Sequence, residues 1–197
     1  MSRMAEAARP LYEPNHPTIE AAYENAPSDV ICEILYGALA MAPRPAVPHG
    51  RLAGKLYARL FGPYDDGVGG PGGWFFLPEP ELHLGPRPDK MQPDLTGWRR
   101  ERTGDVVRAT AVRVAPDWVC EVLSPSTAAT DRDVKMPLYA EHGVSFAWLV
   151  DPIAEVLEAF KLVRGRWHPT GTWRGDDVAR VEPFDALALD LARLWPE

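Results

Sequence analysis

Cysteine is scarce. The 197 residues hold two, Cys32 and Cys120, each inside an apolar run and neither in a CxxC or Cys/His spacing. That excludes a disulfide framework and a cysteine-ligated zinc site, and leaves two buried, reduced thiols as the expectation. Long apolar runs are missing too. None approaches the ~18–20 residues that cross a bilayer, and the first residues lack the charged-then-apolar order of a secretion signal. The expectation is a cytoplasmic protein with no membrane span. Positive charge is in deficit, with 21 Lys and Arg against 28 Asp and Glu for a net −7. This weighs against a broad, sequence-independent grip on nucleic acid, but not against a nuclease, where only the local field of a groove counts. The Gly-rich stretch 64–73 lacks the Gly-Lys-Ser/Thr of a P-loop, and no Gly-x-Ser-x-Gly elbow exists. Neither a phosphate-cradling loop nor a serine hydrolase is indicated.

The chain length suits one core. Residues 1–28 carry scattered prolines and no sustained periodicity beyond a short amphipathic turn at Ile19–Tyr23, so they are expected to form an N-terminal arm. Residues 29–197 form the expected domain. Val30–Met41 predicts a hairpin turning at Tyr36-Gly37, with Glu33 in its first strand. Leu52, Leu56 and Leu60 recur every four residues and predict a helix over 49–62, ended by Gly62-Pro63. Arg51, Lys55 and Arg59 make a second stripe on it. Tyr64–Gly73 is expected to be a flexible loop, Trp74–Leu84 a strand broken at Pro78 and Pro80, and Met91–Trp98 a further strand. Ala115–Leu123 is nearly all apolar, as in a central strand buried on both faces. From Ser124 a loop and then a helix ending at Gly143 are expected, capped by Ser126 or Thr130. Pro137 either kinks that helix or marks a first turn near residue 136. Ser145–Val150 follows as a strand, reached by a right-handed parallel crossover. Residues 155–162 and 166–172 read as a strand pair, and Ala186–Leu191 as a short strand or the start of a last helix.

One residue breaks the central apolar run. A carboxylate at Glu121 costs several kcal/mol unless it is paired or bound to metal. Asp94, after Pro93, sits on what reads as a neighbouring strand. Two carboxylates brought together repel unless a cation lies between them. Their hard oxygens suit Mg²⁺ or Mn²⁺, which polarises a phosphoryl group and lowers the pKa of water. Lys135 can steady charge on phosphate oxygens. Glu33 can add a ligand or accept a proton, and His49 and Arg51 can meet a phosphate. Each residue also has a structural role open to it. These are a turn at Asp94, an ion pair for Glu121 with Arg113 or Lys135, a helical pair of Lys135 with Asp131, a helix cap at His49, a solvated face at Arg51 and a water-facing edge at Glu33.

The stretches Gln92-Pro-Asp94-Leu, Pro116-Asp-Trp-Val-Cys-Glu121-Val-Leu-Ser-Pro-Ser126-Thr, Asp131, Lys135, Leu138-Tyr139-Ala, Gly143-Val and Trp148-Leu-Val-Asp151-Pro together resemble the Uma2 family, also called DUF820, of the PD-(D/E)XK nuclease superfamily. Cys32-Glu33-Ile-Leu-Tyr-Gly37 and Pro48-His49 extend the resemblance to roughly residues 29–195. It implies an α/β domain of restriction-endonuclease-like fold, a central mixed β-sheet flanked by helices. It also implies a metal-dependent DNA endonuclease using Mg²⁺ or Mn²⁺. Asp94 and Glu121 would be metal ligands, Lys135 the catalytic lysine and Glu33 an early acid. In the superfamily the lysine usually stands two residues after the second acid. Here that position is Leu123, so Lys135 would have to reach back from the following helix. Gly37-Ala38 stands where the family usually has Gly-Glu. The alternatives are a catalytically degenerate nucleic-acid-binding or regulatory module, or a subunit active only with a partner. A homodimer is expected, because double-strand cutting needs two sites. Carboxylates of Asp94 and Glu121 on opposite faces of the sheet would exclude the nuclease reading.

Overall fold

The computed structural model describes residues 18–86, 89–104 and 106–195. Residues 1–17, most of the expected arm, lie outside them. The rest of the arm is not loose. Helix α1 (Thr18–Glu24) buries Ile19 against a hairpin of β1 (Val30–Leu35) and β2 (Ala38–Pro43). Tyr36 and Gly37 both take positive φ, as a two-residue hairpin turn requires.

Helix α2 (Val47–Leu60) starts two residues earlier than its leucine spacing indicates, with Pro48 in its first turn, where no N–H is missed. It does not end at Gly62-Pro63. It widens into a π-helical turn over Phe61–Asp65, closed by the Asp66 N–H on the Phe61 carbonyl, which carries the chain past Pro63. Tyr64, expected in a flexible loop, is buried in that turn. Next come β3 (Trp74–Pro78), β4 (Leu82–Leu84), β5 (Asp89–Met91) and β6 (Leu95–Arg99). The two strands expected at 74–84 and 91–98 are therefore four, and each pair divides between two sheets. Strand β7 (Trp118–Val122) precedes a composite helix: α3 (Ala128–Thr130), a π-helical turn (Asp131–Lys135) and α4 (Met136–Glu141). Pro137 falls in the first turn of α4, as the sequence allowed. Neither Ser126 nor Thr130 caps. The N-cap position belongs to Thr127, with no side-chain cap bond, while Ser124 Oγ bonds Ser126 and Thr127. The chain closes with β8 (Phe146–Asp151), β9 (Val156–Val163), β10 (Arg166–Arg174), β11 (Val178–Ala179) and β12 (Leu189–Asp190).

The large sheet runs β10-β9-β8-β7-β6-β3 and is mixed, with β7 and β8 parallel and its other neighbours antiparallel. The fold is thus the mixed α/β type expected. A second sheet runs β2-β1-β5-β4. Side chains alternate along β7. Trp118, Cys120 and Val122 join the core under α2, and Val119 joins the core that includes α4 and the second sheet. Phe184 lies at the centre of the first core, its ring against those of Tyr64, Trp74, Phe76, Trp118 and Trp148. Gly97 leaves room for this packing, since a Cβ there would stand 2.9 Å from the Phe76 ring. Burying Leu52, Leu56 and Leu60 of α2 contributes roughly 1.5–3 kcal/mol each. It also fixes the first turn of α2, and His49 with it, at the end of β7.

Candidate active site

The site forms where the chain leaves the second sheet for the large one. Pro93 has no N–H, so the ladder cannot continue through it. The N–H groups on either side turn to side chains instead. Gln92 N–H donates to Glu33 Oε1 at 2.8 Å and Asp94 N–H to Glu121 Oε2 at 3.4 Å. Asp94 stands one residue beyond the Leu95–Cys120 pair of β6 and β7, which sets it beside Glu121. Its Oδ2 accepts the Val122 N–H at 2.6 Å and faces His49 Nε2 at 3.2 Å. The two acids share one place, so the arrangement that would have excluded a nuclease is absent.

Alternation along β7 turns Glu121 toward α4, away from α2. There Tyr139 donates its hydroxyl to Glu121 Oε1 at 2.5 Å. Lys135 Nζ lies 3.2 Å from the same oxygen, 3.1 Å from Glu33 Oε1 and 3.5 Å from Asp131 Oδ1. Glu121 is 2% exposed, Asp131 3%, Lys135 5% and Glu33 7%. Three carboxylates therefore surround one ammonium, away from water. The π-helical turn brings Asp131 and Lys135 inward together, and Pro137 follows without breaking the helix.

Burial opposes charge on Lys135, but Glu121 and Glu33 outweigh it and hold its pKa well above the ordinary 10.5. Burial also pushes the Glu121 carboxyl well above the carboxylate range, and Lys135 only partly offsets this. Asp131 is raised for the same reason. Burial raises Tyr139 too, and the Glu121 charge adds to it. For His49, burial lowers the pKa, yet the Asp94 carboxylate more than compensates and the net shift is upward. Its Nδ1 is buried with no hydrogen-bond partner among the described residues.

All of these but Tyr139 line a cleft of about 300 Å³. Its polar lining is Glu33, Asp94, Glu121, Asp131 and Lys135. Its apolar lining is the rest of the β1–β2 hairpin and the loop to α2, with Ile31, Ala42, Pro43 and Pro45. Among the described residues no group of three or more His, Cys, Asp and Glu side chains is placed to hold a metal ion. An open site needs fewer. Asp94 Oδ1 has no hydrogen bond among the described residues, and Glu121 Oε2 has only the 3.4 Å one. Two such oxygens at a cleft suit Mg²⁺, which takes one or two carboxylates and leaves its other positions to water and phosphate.

The structure brings together five of the six residues singled out in the sequence: Glu33, His49, Asp94, Glu121 and Lys135. Arg51 is exposed and does not line the cleft; Arg44 does. Glu33 is not a water-facing edge, and His49 is not a helix cap. Arg113 makes no ion pair with Glu121, which Lys135 takes. Sequence reasoning left Asp131, Tyr139 and Arg44 out of the site. The first two carried a signal, since they lie four residues either side of Lys135. Arg44, in a Pro-rich loop, carried none. Both thiols are free, but Cys32 is only half-buried. Among the described residues no helix is long and apolar enough to cross a membrane.

A family model described as "Uma2: Putative restriction endonuclease" matches residues 19–192. No curated protein matches the chain. Among solved structures, a "putative nuclease belonging to DUF820" from Anabaena variabilis superposes with a TM-score of 0.69 at 19% identity, over 90% of this chain and 96% of that one.

Proposed function

Because this chain belongs to the Uma2 family, we propose that its cleft hydrolyses phosphodiester bonds of DNA with the help of a divalent cation held by Asp94 and Glu121. The observation that carries this reading is the placement of those two carboxylates side by side, with the Lys135 ammonium 3.2 Å from one of them, on the wall of a cleft. Mg²⁺ or Mn²⁺ in that position supplies Lewis acidity toward a phosphoryl oxygen and lowers the pKa of water. The protein's own groups do the rest. Lys135 stays charged through neutral pH and sets its positive charge near the negative charge that grows on the phosphate. Tyr139, Glu33 and Asp131 hold its position and that of Glu121. His49 Nε2 and the Val122 N–H fix the Asp94 carboxylate by sharing Oδ2, which leaves Oδ1 toward the cleft. Glu33 uses Oε1 for Gln92 and Lys135 and so holds the two together.

Calorimetric titration of Mg²⁺ and Mn²⁺ into wild type and Glu121→Gln, followed by cleavage assays on labelled DNA with the same samples, tests the proposal. Metal binding and cleavage in wild type, both lost in the variant, support it. Absence of metal binding in wild type overturns it and makes Glu121 a structural partner of Lys135. Metal binding without cleavage of any DNA favours a binding module or a partner-dependent subunit.

A further inference from the structure

We infer that the cleft is built to take one unpaired polynucleotide strand and not a continuous duplex; this rests on the phosphodiesterase reading and names its substrate class. Three observations lead there. The first is depth. Glu121, Lys135 and Glu33 are each at least nine-tenths buried, and the space before them is about 300 Å³. That is the small end of pockets enclosing a compact ligand, roughly 300–1,000 Å³. Duplex phosphates lie on the outside of a rod stiff over about 50 nm. A phosphate on that rod cannot reach a recessed floor unless its strand leaves the stack, which costs a few kcal/mol. An unpaired strand enters without that cost.

The second is charge. Four carboxylates line the cleft, against the cations Arg44 and Lys135 and the imidazole of His49. Lys135 is already shared among three carboxylates, and His49 is against Asp94. Arg44 alone remains at the lip, anchored by two bonds to the Ser28 carbonyl. Duplex binders commonly neutralise about 6–10 phosphates. One guanidinium and one bound cation serve a short stretch of a single strand.

The third is the apolar lining. Ile31, Ala42, Pro43 and Pro45 present an apolar surface beside the acids. A duplex offers that surface only sugar and phosphate. An unpaired nucleotide offers the apolar face of its base while its phosphate points to Asp94 and Glu121. Apolar contact from Ile31 and the proline rings reads no base edge, so weak sequence preference follows.

Ala46 allows a test that spares the fold. It lines the cleft and is the N-cap of α2, with extended backbone and no side-chain cap bond. Asp and Asn are both better caps than Ala, so either substitution keeps or improves stability. Only Ala46→Asp places a negative charge on the path of the strand. The experiment measures binding by fluorescence anisotropy, with Ca²⁺ as the metal, to a labelled 20-nucleotide single strand and to the blunt duplex of the same sequence. Cleavage of both, and of a forked duplex, is then followed in Mg²⁺ or Mn²⁺. Expected are single-strand binding at least tenfold tighter than duplex binding, and cuts confined to the unpaired arms of the fork. Ala46→Asp should bind the single strand about tenfold more weakly than Ala46→Asn at low salt, since the two differ only in charge. Equal or tighter duplex binding, equal cutting of the paired stem, or indifference to Ala46→Asp overturns the inference and leaves the nuclease reading standing. Single-strand preference without any cleavage supports the inference and defeats the nuclease reading.

Discussion

Lys135 Nζ lies 3.2 Å from Glu121 Oε1, and the two side chains meet from elements with no local reason to converge, a π-helical turn and the strand that precedes it. The same ammonium reaches Glu33 and Asp131. Removing it leaves three buried carboxylates facing one another. Lys135→Met is expected to destabilise the fold by roughly 3–5 kcal/mol, as breaking a buried pair does. Chemical denaturation at pH 7 measures it. Folded Lys135 has a raised pKa, so its contribution is full below the ordinary 10.5 and is lost only as pH rises through its higher folded value. The gap between wild type and variant should therefore persist at pH 10.

Glu121 titrates in the opposite part of the range. Its folded pKa is raised by burial, so its contribution is full below its ordinary value of 4.5 and is lost as pH rises through the folded value. Glu121→Gln removes that dependence. The melting temperature of the variant relative to wild type should climb from pH 5 to pH 8, by ~2–4 °C for each 1 kcal/mol. A flat difference would contradict the burial argument.

The same raised pKa sets the pH dependence of metal binding. A cation at Asp94 and Glu121 must displace a proton that Glu121 holds above the usual carboxylate range. Mg²⁺ affinity should fall with decreasing pH, and binding should release protons. Calorimetry in two buffers of different ionisation enthalpy reads that release directly.

Tyr139→Phe removes the one hydroxyl donated to Glu121. Losing the partner of a buried polar group costs about 1–3 kcal/mol, and the loss should appear in denaturation at pH 7. That bond also lowers the Glu121 pKa. Without it, the pH below which Mg²⁺ affinity falls should move upward.

Phe184→Ala tests the core apart from the chemistry. Five aromatic rings pack around this side chain, so truncation should cost roughly 3–5 kcal/mol. Mg²⁺ affinity of the folded variant should stay near wild type, because no residue of that core lines the cleft.

The sequence alone determined the elements that rest on local pattern. The hairpin turn at Tyr36-Gly37, the leucine stripe of α2, the apolar β7 and β8 and the terminal pair β9–β10 all follow from periodicity and turn residues. It also exposed Glu121, because a carboxylate inside a buried apolar strand has to have a partner. The tertiary structure decided what depends on groups far apart in the chain. Strands β3 and β4, and β5 and β6, separate into different sheets because the ladder stops at their prolines and each half finds another partner. Glu33 is buried because its carboxylate accepts the N–H of Gln92, 59 residues away. Asp131 and Tyr139 share the helical face of Lys135 at four-residue spacing, but only the packing of that helix against β7 and β1 brings the face onto Glu121 and Glu33. Arg51 stays outside and Arg44 lines the cleft because the path of the loop into α2 is set by the packing of its leucines. Residue types announced the chemistry, and long-range closure chose which residues stand close enough to perform it.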